Sequence, residues 1–369
     1  MYMMERAPGA RTVINGREVD YFSGCGYFDL QGHAELIEAA CAAVKRYGIS
    51  SATSPLVYGN NPVLNQVITN ATRFFDTEDI LYYASGYLGN AILLDGLKDR
   101  YDSIFVDRES HYSVLHAASI VDKPVFTFAY MDADDLQKKI KKHLKAGQRP
   151  LVICDGIFPI SGEISPVLDY RQVLSRFEEA IICVDDAHAT GVIGENGRGT
   201  FEYFGIETKG ENLYSSGTLS KALGGHGGII AGSAELIKKL NENSSIPHAA
   251  SLPPIPVAAA TAKGLEILYR QPELRKKLWA NVLYTKNRLR NLGFQINDSP
   301  VPIICLHSRE EIDFLTLQSR LFDRGLAVIY LPGGRYTSVP LGGAIRISIF
   351  SSHTREQLDH LTDNIGQLI

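Results

Sequence analysis

Short apolar runs alternate with amphipathic helical patterns between residues 80 and 232. The runs are continuously apolar, which is typical of strands that are covered on both faces. Turn residues or helical stretches separate them. The pattern predicts a mainly parallel sheet within an α/β unit. The predicted strands are ILYYAS, SIFVDR, PVFTFAY, PLVICDGIF, AIICVDDA, NLYSSGTL and GGIIAG.

The pattern changes after Pro256, where a long amphipathic helix runs through LEILYR and PELRKKLWANVLYTKNRLRNLG and is expected to stop at Gly293. A smaller unit follows. Its predicted strands are VPIICLH, AVIYL and AIRISIF, and its predicted helices are REEIDFLTLQSRLFDRG and a closing helix from Thr354.

The N-terminal segment is too short to fold alone, so we expect it to pack with the C-terminal unit. The sequence therefore predicts an N-terminal segment over 1–36, a large domain over 37–262 and a small C-terminal domain over 263–369.

Composition narrows the class of protein. The 369 residues are 45% hydrophobic and 21% charged, with a formal net charge of −4. No run of basic residues interleaved with aromatics is present, which argues against a nucleic-acid partner. No stretch approaches the roughly 20 apolar residues of a membrane span, and the start lacks the apolar core of a signal peptide. We expect a cytoplasmic protein.

The cysteines lie far apart and form no CxxC pair, which argues against a disulfide framework or a zinc ribbon. No HExxH or comparable cluster of ligands accompanies them, so we expect no metal site. The thiols are expected to be reduced and mostly buried. They are Cys25, Cys41, Cys154, Cys183 and Cys305.

One lysine lies between hydroxyl residues and a glycine cluster, in the segment SSGTLSKALGGHGG that contains Thr218 and Lys221. A desolvated lysine is the nucleophile that Schiff-base chemistry needs, and small residues allow a cofactor to approach the backbone. A solvated lysine in a flexible loop is the alternative. The glycines do not fit GxxxxGK[ST] or a GxGxxG that opens a helix, so a nucleotide loop is disfavoured.

The segment IICVDDAHATG ends an apolar run with Asp185 and Asp186 and places His188 three residues after Asp185. An aspartate there can keep a ring nitrogen protonated, and the histidine can bond a phenolic oxygen of the same ring. A capping aspartate in a loop and a metal ligand are the alternatives.

Two further polar segments follow predicted strands. SGYLGN, with Gly86 and Tyr87, occupies a turn between strand and helix, where backbone amides can bind phosphate. DRESH ends on His111, which could stack on a flat ring, although a structural histidine is an alternative. Since all four segments follow strands of one predicted sheet, they favour one shared site.

These segments, in this order, resemble the α-oxoamine synthase family of fold type I pyridoxal phosphate (PLP) enzymes. VDDAHATGVIGENGRG and SGTLSKALGGHGGIIAG carry most of the resemblance, and SLPP and RISIFSSHTREQLDHL carry less. The family fold has a large domain with a mainly parallel sheet and a smaller α/β C-terminal domain.

The resemblance implies roles for four catalytic residues. Lys221 would hold pyridoxal 5′-phosphate as a Schiff base and remove the α-proton of an amino acid. Asp185 would face the pyridine nitrogen, His188 the phenolic oxygen, and His111 would stack on the ring.

It also implies supporting roles. Gly86 and Tyr87 would supply contacts from the turn, Thr218 would reach the phosphate, and Arg346 would receive the carboxylate of a small amino acid. A planar guanidinium suits a carboxylate.

The implied activity joins that amino acid to an acyl thioester, such as an acyl-CoA, with decarboxylation to an α-aminoketone, as in aminooxononanoate synthases. A homodimer with shared active sites is implied. An aminotransferase, a synthase with another acyl donor, and a catalytically silent protein of the same fold are the alternatives.

Several positions depart from the family pattern and bear on the acyl donor more than on the cofactor. Pro159 stands where a serine is usual, and the segment around Pro55 lacks a usual arginine and histidine. Ala249 and Ala250 replace a frequent Ser-Thr pair. The longer loop LPGGRYTSVPLGG carries Arg335 and Tyr336, which either line the second-substrate pocket or are solvated.

Overall fold

A computed structural model describes residues 2–55, 57–307, 312–334, 339 and 341–369. Within these residues the strands are β1 Arg11–Ile14, β2 Arg17–Tyr21, β3 Asp79–Tyr83, β4 Ser103–Asp107, β5 Val125–Phe128, β6 Pro150–Asp155, β7 Ile181–Asp185, β8 Leu213–Thr218, β9 Gly228–Gly232, β10 Ile303–His307, β11 Leu326–Ala327, β12 Ile329–Leu331 and β13 Ala344–Ser348.

The α-helices alternate with these strands through the first two thirds of the chain. They are α1 Ala34–Tyr47, α2 Pro62–Phe75, α3 Gly89–Gly96, α4 Tyr112–Ile120, α5 Ala133–His143, α6 Val167–Leu174, α7 Thr200–Tyr203, α8 Ala234–Asn243, α9 Ile246–Ala249, α10 Ile255–Arg270, α11 Glu273–Asn291, α12 Phe314–Asp323 and α13 Arg355–Leu368. Single 3₁₀ turns form at Leu30–Gly32 and Gly86–Leu88.

The large sheet has seven strands in the order β3-β9-β8-β7-β6-β4-β5. Only β9 runs antiparallel to its neighbours in this sheet. Every apolar run predicted between residues 80 and 232 is a strand of it, so the prediction of a mainly parallel α/β sheet is confirmed. The strand β7, which ends at Asp185, lies in the middle of the sheet.

Both faces of the sheet are buried, as the continuous apolar runs indicated. Ile104 and Val106 of β4 pack against one layer that contains α3, α4 and α8. Phe105, between them, packs on the opposite face with residues of α5 and α6. This alternation within one strand explains why the run shows no polar face.

Two smaller sheets are built from the ends of the chain, in the orders β1-β2-β11 and β10-β13-β12. β2 pairs in parallel with β11, with Asp20 opposite Leu326. The carbonyl of Phe22 accepts a hydrogen bond from the Ser348 amide at 2.8 Å. The N-terminal segment thus contacts C-terminal strands, while the domain boundaries at residues 36 and 262 stay a prediction.

One predicted helix is in fact two. The long helix expected after Pro256 is divided into α10 and α11, because Gln271 leaves the helical region (φ −122°, ψ 65°) and Pro272 cannot continue the hydrogen-bond ladder. The predicted stop at Gly293 is confirmed, since this glycine has a φ of 84° just after α11.

The C-terminal helices begin at polar caps. Asp313 accepts hydrogen bonds from the amides of Leu315 and Thr316, so α12 begins at Phe314. The first residues of the predicted helix, 309–311, lie outside the described residues. Thr354 caps α13 and forms a capping box with Gln357, which confirms the predicted start.

The five cysteines are free thiols, and Cys154, Cys183 and Cys305 are buried. In the described part of the chain, no group of three potential ligands is placed to hold a metal ion. Over the same residues, no helix combines the length and the apolar character that crossing a bilayer requires.

The turn between β8 and β9 carries Lys221 and packs against α10. The amide of His226 donates to Thr261 Oγ1 at 2.9 Å. A side chain at Gly264 would overlap the carbonyl oxygen of Leu223. The absence of a side chain at this helix position therefore lets α10 lie directly against the Lys221 turn.

We predict that Gly264→Ala lowers the unfolding temperature, because the methyl group must push backbone away at a cost of about 1–3 kcal/mol. Gly366→Ala is the matched control, since the group nearest to its methyl is the flexible end of Leu292, at 2.9 Å. Thermal unfolding of both variants checks this. An equal melting temperature for the two variants would contradict the prediction.

Candidate active site

Lys221 and His188 meet at the carboxyl end of the large sheet. Lys221 Nζ lies 2.9 Å from His188 Nε2. Burial lowers the pKa of Lys221, although nearby Cys25, Asp185 and Asp155 oppose the shift. A lysine with a lowered pKa is a nucleophile nearer neutral pH than an exposed one. The alternative prediction, a solvated lysine in a flexible loop, is therefore wrong.

His188 is buried and remains neutral. Burial holds its pKa well below the usual value, and the positive charges of Lys221 and Arg346 act in the same direction. Its other ring nitrogen, Nδ1, lies 2.9 Å from the hydroxyl of Tyr27. Both ring nitrogens thus have a defined neighbour.

Asp185 ends the central strand β7 and is 4% exposed. Its Oδ2 accepts from Asn90 Nδ2 at 2.6 Å and from Ser113 Oγ at 3.2 Å. Its Oδ1 accepts from the Ala187 amide at 3.0 Å. Every hydrogen bond in this set runs toward Asp185, which is the environment of a carboxylate.

His111 joins the same group of residues through Ser113. His111 Nδ1 lies 2.8 Å from Ser113 Oγ, and the backbone amide of His111 donates to Asp155 at 2.7 Å. His111 is also the residue before α4, so the helix start fixes its ring. Burial lowers the pKa of this imidazole.

Gly86 and Thr218 lie against each other. A Cβ on Gly86 would approach Thr218 Oγ1 to 2.7 Å, so a larger residue would not fit there. Tyr87 is 45% exposed, and its ring meets His111 edge-on at 6.4 Å. Its hydroxyl contacts His116 instead of the residues around Lys221. The predicted turn residues therefore border the site from one side.

Arg346 reaches the site from β13 and is 7% exposed. Its Nε donates to the Pro159 carbonyl at 2.7 Å, and its Nη1 donates to Ser348 Oγ at 2.9 Å and the Gly24 carbonyl at 3.3 Å. These bonds fix the plane of the guanidinium. Nη2 lies 3.7 Å from Cys25 Sγ, a weak acceptor that a ligand carboxylate could replace.

The N-terminal segment contributes residues that the sequence did not reveal. Tyr27 contacts His188, Cys25 contacts Arg346, and Gln31 Nε2 donates to the Lys221 carbonyl at 2.7 Å. Burial raises the pKa of Cys25, but Arg346 and Lys221 outweigh it and leave the value lowered. Nothing in the local pattern of SGCGYF marks these residues as part of a site.

Three other carboxyl groups lie near Asp185 at the same end of the sheet. Burial raises the pKa of Asp186 to about 7 and that of Asp107 to about 6. Burial and the charge of Asp185 raise the pKa of Asp155 well above its usual value. Burial therefore makes ionisation of these three carboxyl groups less favourable than that of exposed aspartates.

The residues that depart from the pattern of the resembled family lie in two parts of the structure. Pro159 presents its carbonyl to Arg346, so it supports the guanidinium. Pro55, Ala249 and Ala250 share the lining of a cavity of about 250 Å³. The loop residues Arg335 and Tyr336 lie outside the described residues.

Comparisons with known proteins agree with this geometry. The aminotransferase class I and II family matches residues 24–365. The chain belongs to this family. It is 32% identical to the 8-amino-7-oxononanoate synthase of Thermoanaerobacter pseudethanolicus over 359 residues, which cover 97% of this chain and 89% of the relative.

Two solved structures share the fold. A serine palmitoyltransferase variant from S. paucimobilis with a bound PLP–myriocin adduct has a TM-score of 0.91 and 22% identity over 100% of this chain and 92% of that one. The 8-amino-7-oxononanoate synthase of Francisella tularensis has a TM-score of 0.78 and 21% identity, with 95% and 97% covered. The chain is thus a PLP-dependent enzyme of the α-oxoamine synthase family with the fold type I architecture.

The side chains that meet here fit PLP. An amine of lowered pKa, a buried carboxylate and an imidazole are present together, which are the groups that an aldehyde, a pyridine nitrogen and a phenolic oxygen require. Gly86, which has no side chain, and the hydroxyl of Thr218 lie in contact at the edge of this group of residues. The catalytically silent alternative is not supported.

We predict that Ser113→Ala lowers the unfolding temperature, because Asp185 loses a buried donor worth about 1–3 kcal/mol and His111 keeps only the backbone amide of residue 113 as a partner of Nδ1. Ser110→Ala is the control. Ser110 is also buried, but its hydroxyl has no hydrogen-bond partner among the described residues. Thermal unfolding, with and without added PLP, compares the two, and equal losses would contradict the prediction.

Proposed function

We propose that the protein condenses a small amino acid with an acyl thioester and releases carbon dioxide to give an α-aminoketone. The observation that carries the proposal is the meeting of Lys221, His188 and Asp185 in one buried space that Arg346 also borders. The Arg346 and Lys221 charges both act on Cys25, so the two cations flank a common region. A small amino acid matches this arrangement, because its amine would react at the Lys221 side and its carboxylate would bind Arg346.

Four side chains would hold the cofactor. Lys221 would bind it as a Schiff base, Asp185 would face the pyridine nitrogen, His188 the phenolic oxygen, and His111 the ring face. The turn of Gly86 and Tyr87, together with Thr218, would lie toward the phosphate. When bound, PLP supplies an electron sink for the carbanion formed at the α-carbon.

The chain's own residues would then orient the substrate and move its proton. Arg346, fixed by Pro159 and Ser348, would receive the carboxylate on its Nη2 edge, where Cys25 Sγ is only a weak acceptor. Lys221, once its amine is released, would remove the α-proton as general base. Burial favours its neutral form, the one that can accept a proton.

The proposed acyl donor is a thioester of one of two classes. Coenzyme A is the first. A donor without the nucleotide is the second candidate, because the cavity that Pro55, Ala249 and Ala250 line has no lysine or arginine among its described lining residues. A nucleotide phosphate usually requires such a cation.

An aminotransferase is a further alternative that would use the same lysine and aspartate. It would exchange amino groups without releasing carbon dioxide or free thiol. We also propose a homodimer with shared active sites, which rests on the resemblance to the family and is checked by light scattering of the purified protein.

The deciding experiment adds glycine, alanine or serine to the PLP-loaded protein and then adds acyl-CoA, or a short acyl thioester without the nucleotide. Free thiol and carbon dioxide released in equal amounts support the synthase. Amino-group exchange with a keto acid, without thiol, would establish the aminotransferase instead. Activity with only the short thioester selects the second donor class.

We predict that Lys221→Ala binds PLP without the visible absorbance of a Schiff base and loses turnover by about 10²- to 10⁴-fold from the missing base alone. Lys238→Ala is the control, because this lysine is an exposed residue of α8 whose side chain is 74% accessible. Absorbance between about 320 and 520 nm and the thiol assay measure both. Near-normal turnover of Lys221→Ala would overturn the assignment.

We predict that Asp185→Asn folds and still binds PLP, but exchanges the α-proton of a small amino acid more slowly, on the order of 10²-fold. The neutral amide cannot keep the ring nitrogen protonated. Proton NMR in deuterated water follows the exchange without any acyl donor. An unchanged rate would show that another group holds that nitrogen.

A further inference from the structure

Tyr27 lies in the interior beside three polar groups that belong to different parts of the chain. Its side chain has no exposed surface. Its hydroxyl is 2.9 Å from His188 Nδ1 and also contacts the Arg346 guanidinium and the Cys25 thiol. Its carbonyl accepts from the Ser351 amide at 2.8 Å, which fixes the backbone.

The chemistry of these neighbours decides where the hydroxyl proton goes. The guanidinium of Arg346 can only donate, so it uses a lone pair of the Tyr27 oxygen. Burial raises the pKa of Tyr27 well above its usual value, so the phenol keeps its proton. Of the two remaining neighbours, the Cys25 sulfur is a poor acceptor for an O–H group, and Nδ1 of the neutral His188 lies at hydrogen-bond distance, 2.9 Å.

A hydroxyl that donates to Nδ1 leaves the imidazole proton on Nε2. That nitrogen is the one that faces Lys221, at 2.9 Å. Under the proposed function, the phenolic oxygen of the cofactor would lie on this side and would need a donor. The opposite tautomer would present a lone pair to an oxygen that carries negative charge.

We propose that Tyr27 is a positioning residue that keeps the proton of His188 on Nε2 and so makes the histidine a donor toward the cofactor. The inference rests on the proposed function, in which His188 faces the phenolic oxygen. Tyr27 itself does not touch the reacting atoms. It acts through His188, as a partner of a ligand histidine does in metal sites.

The first test reads the tautomer directly in the wild-type protein. Long-range ¹H–¹⁵N correlation spectra of the PLP-loaded protein, labelled at its 10 histidines, identify His188 by its absence in His188→Gln. We expect protonated Nε2 and an unprotonated, hydrogen-bonded Nδ1. A His188 protonated on Nδ1 overturns the inference without any variant at Tyr27.

The second test compares Tyr27→Phe with Tyr101→Phe. Tyr101 is also without exposed surface, and its hydroxyl makes one hydrogen bond, to the Leu94 carbonyl at 2.8 Å. The loaded proteins are titrated with pH while the visible absorbance is recorded. A weaker donor at the phenolic oxygen leaves more negative charge there, which holds the Schiff-base proton more tightly.

We expect the midpoint of the titration to rise by about one pH unit in Tyr27→Phe, because one unit corresponds to the net free energy of about one hydrogen bond. We expect no change of the midpoint in Tyr101→Phe. Equal midpoints in Tyr27→Phe and the wild type overturn the positioning role, even if turnover falls. A wild-type protein that shows no visible band with PLP overturns the proposed function, and this inference with it. The two failures are therefore distinguishable.

Discussion

The carboxylate of Asp185 is the constraint on which the rest of the site depends. It lies at the end of the central strand of a seven-stranded sheet and is almost fully buried. A buried charge without partners would cost several kcal/mol, so the surrounding elements must supply donors. Asn90 from α3 and Ser113 from α4 do so. The starts of these two helices are therefore tied to one strand end.

The same constraint explains the chemistry of the neighbouring groups. Once one carboxylate is satisfied there, further negative charge is unfavourable, and burial already raises the pKa of Asp155 and Asp186. The positive charges of Lys221 and Arg346 lie close enough to Cys25 to lower the pKa of its thiol.

Local sequence predicted the large sheet and the residues at its strand ends, because burial on both faces leaves a continuous apolar run and the chemistry follows directly after it. The positions of Lys221, Asp185 and His188 at or just after strand ends were predicted in this way. Tyr27 and Cys25 were not, since their partners lie far away in the chain; Tyr27 and His188 are 161 positions apart. The break at Pro272 was also missed, because the apolar period continues across it. Proline is well tolerated where a new helix starts, so the pattern alone did not mark an end.

The contacts of the N-terminal segment have a consequence for how the molecule is made. Gly24 and Tyr27 are bonded to Arg346 and Ser351, so the first tenth of the chain is held by the last tenth. Contacts of such high sequence separation form late, because a very long loop must close first. On the ribosome, the strands of the large sheet emerge long before the residues that anchor Tyr27. The contacts that hold Tyr27 beside His188 can consequently form only after Arg346 and Ser351 have been synthesised.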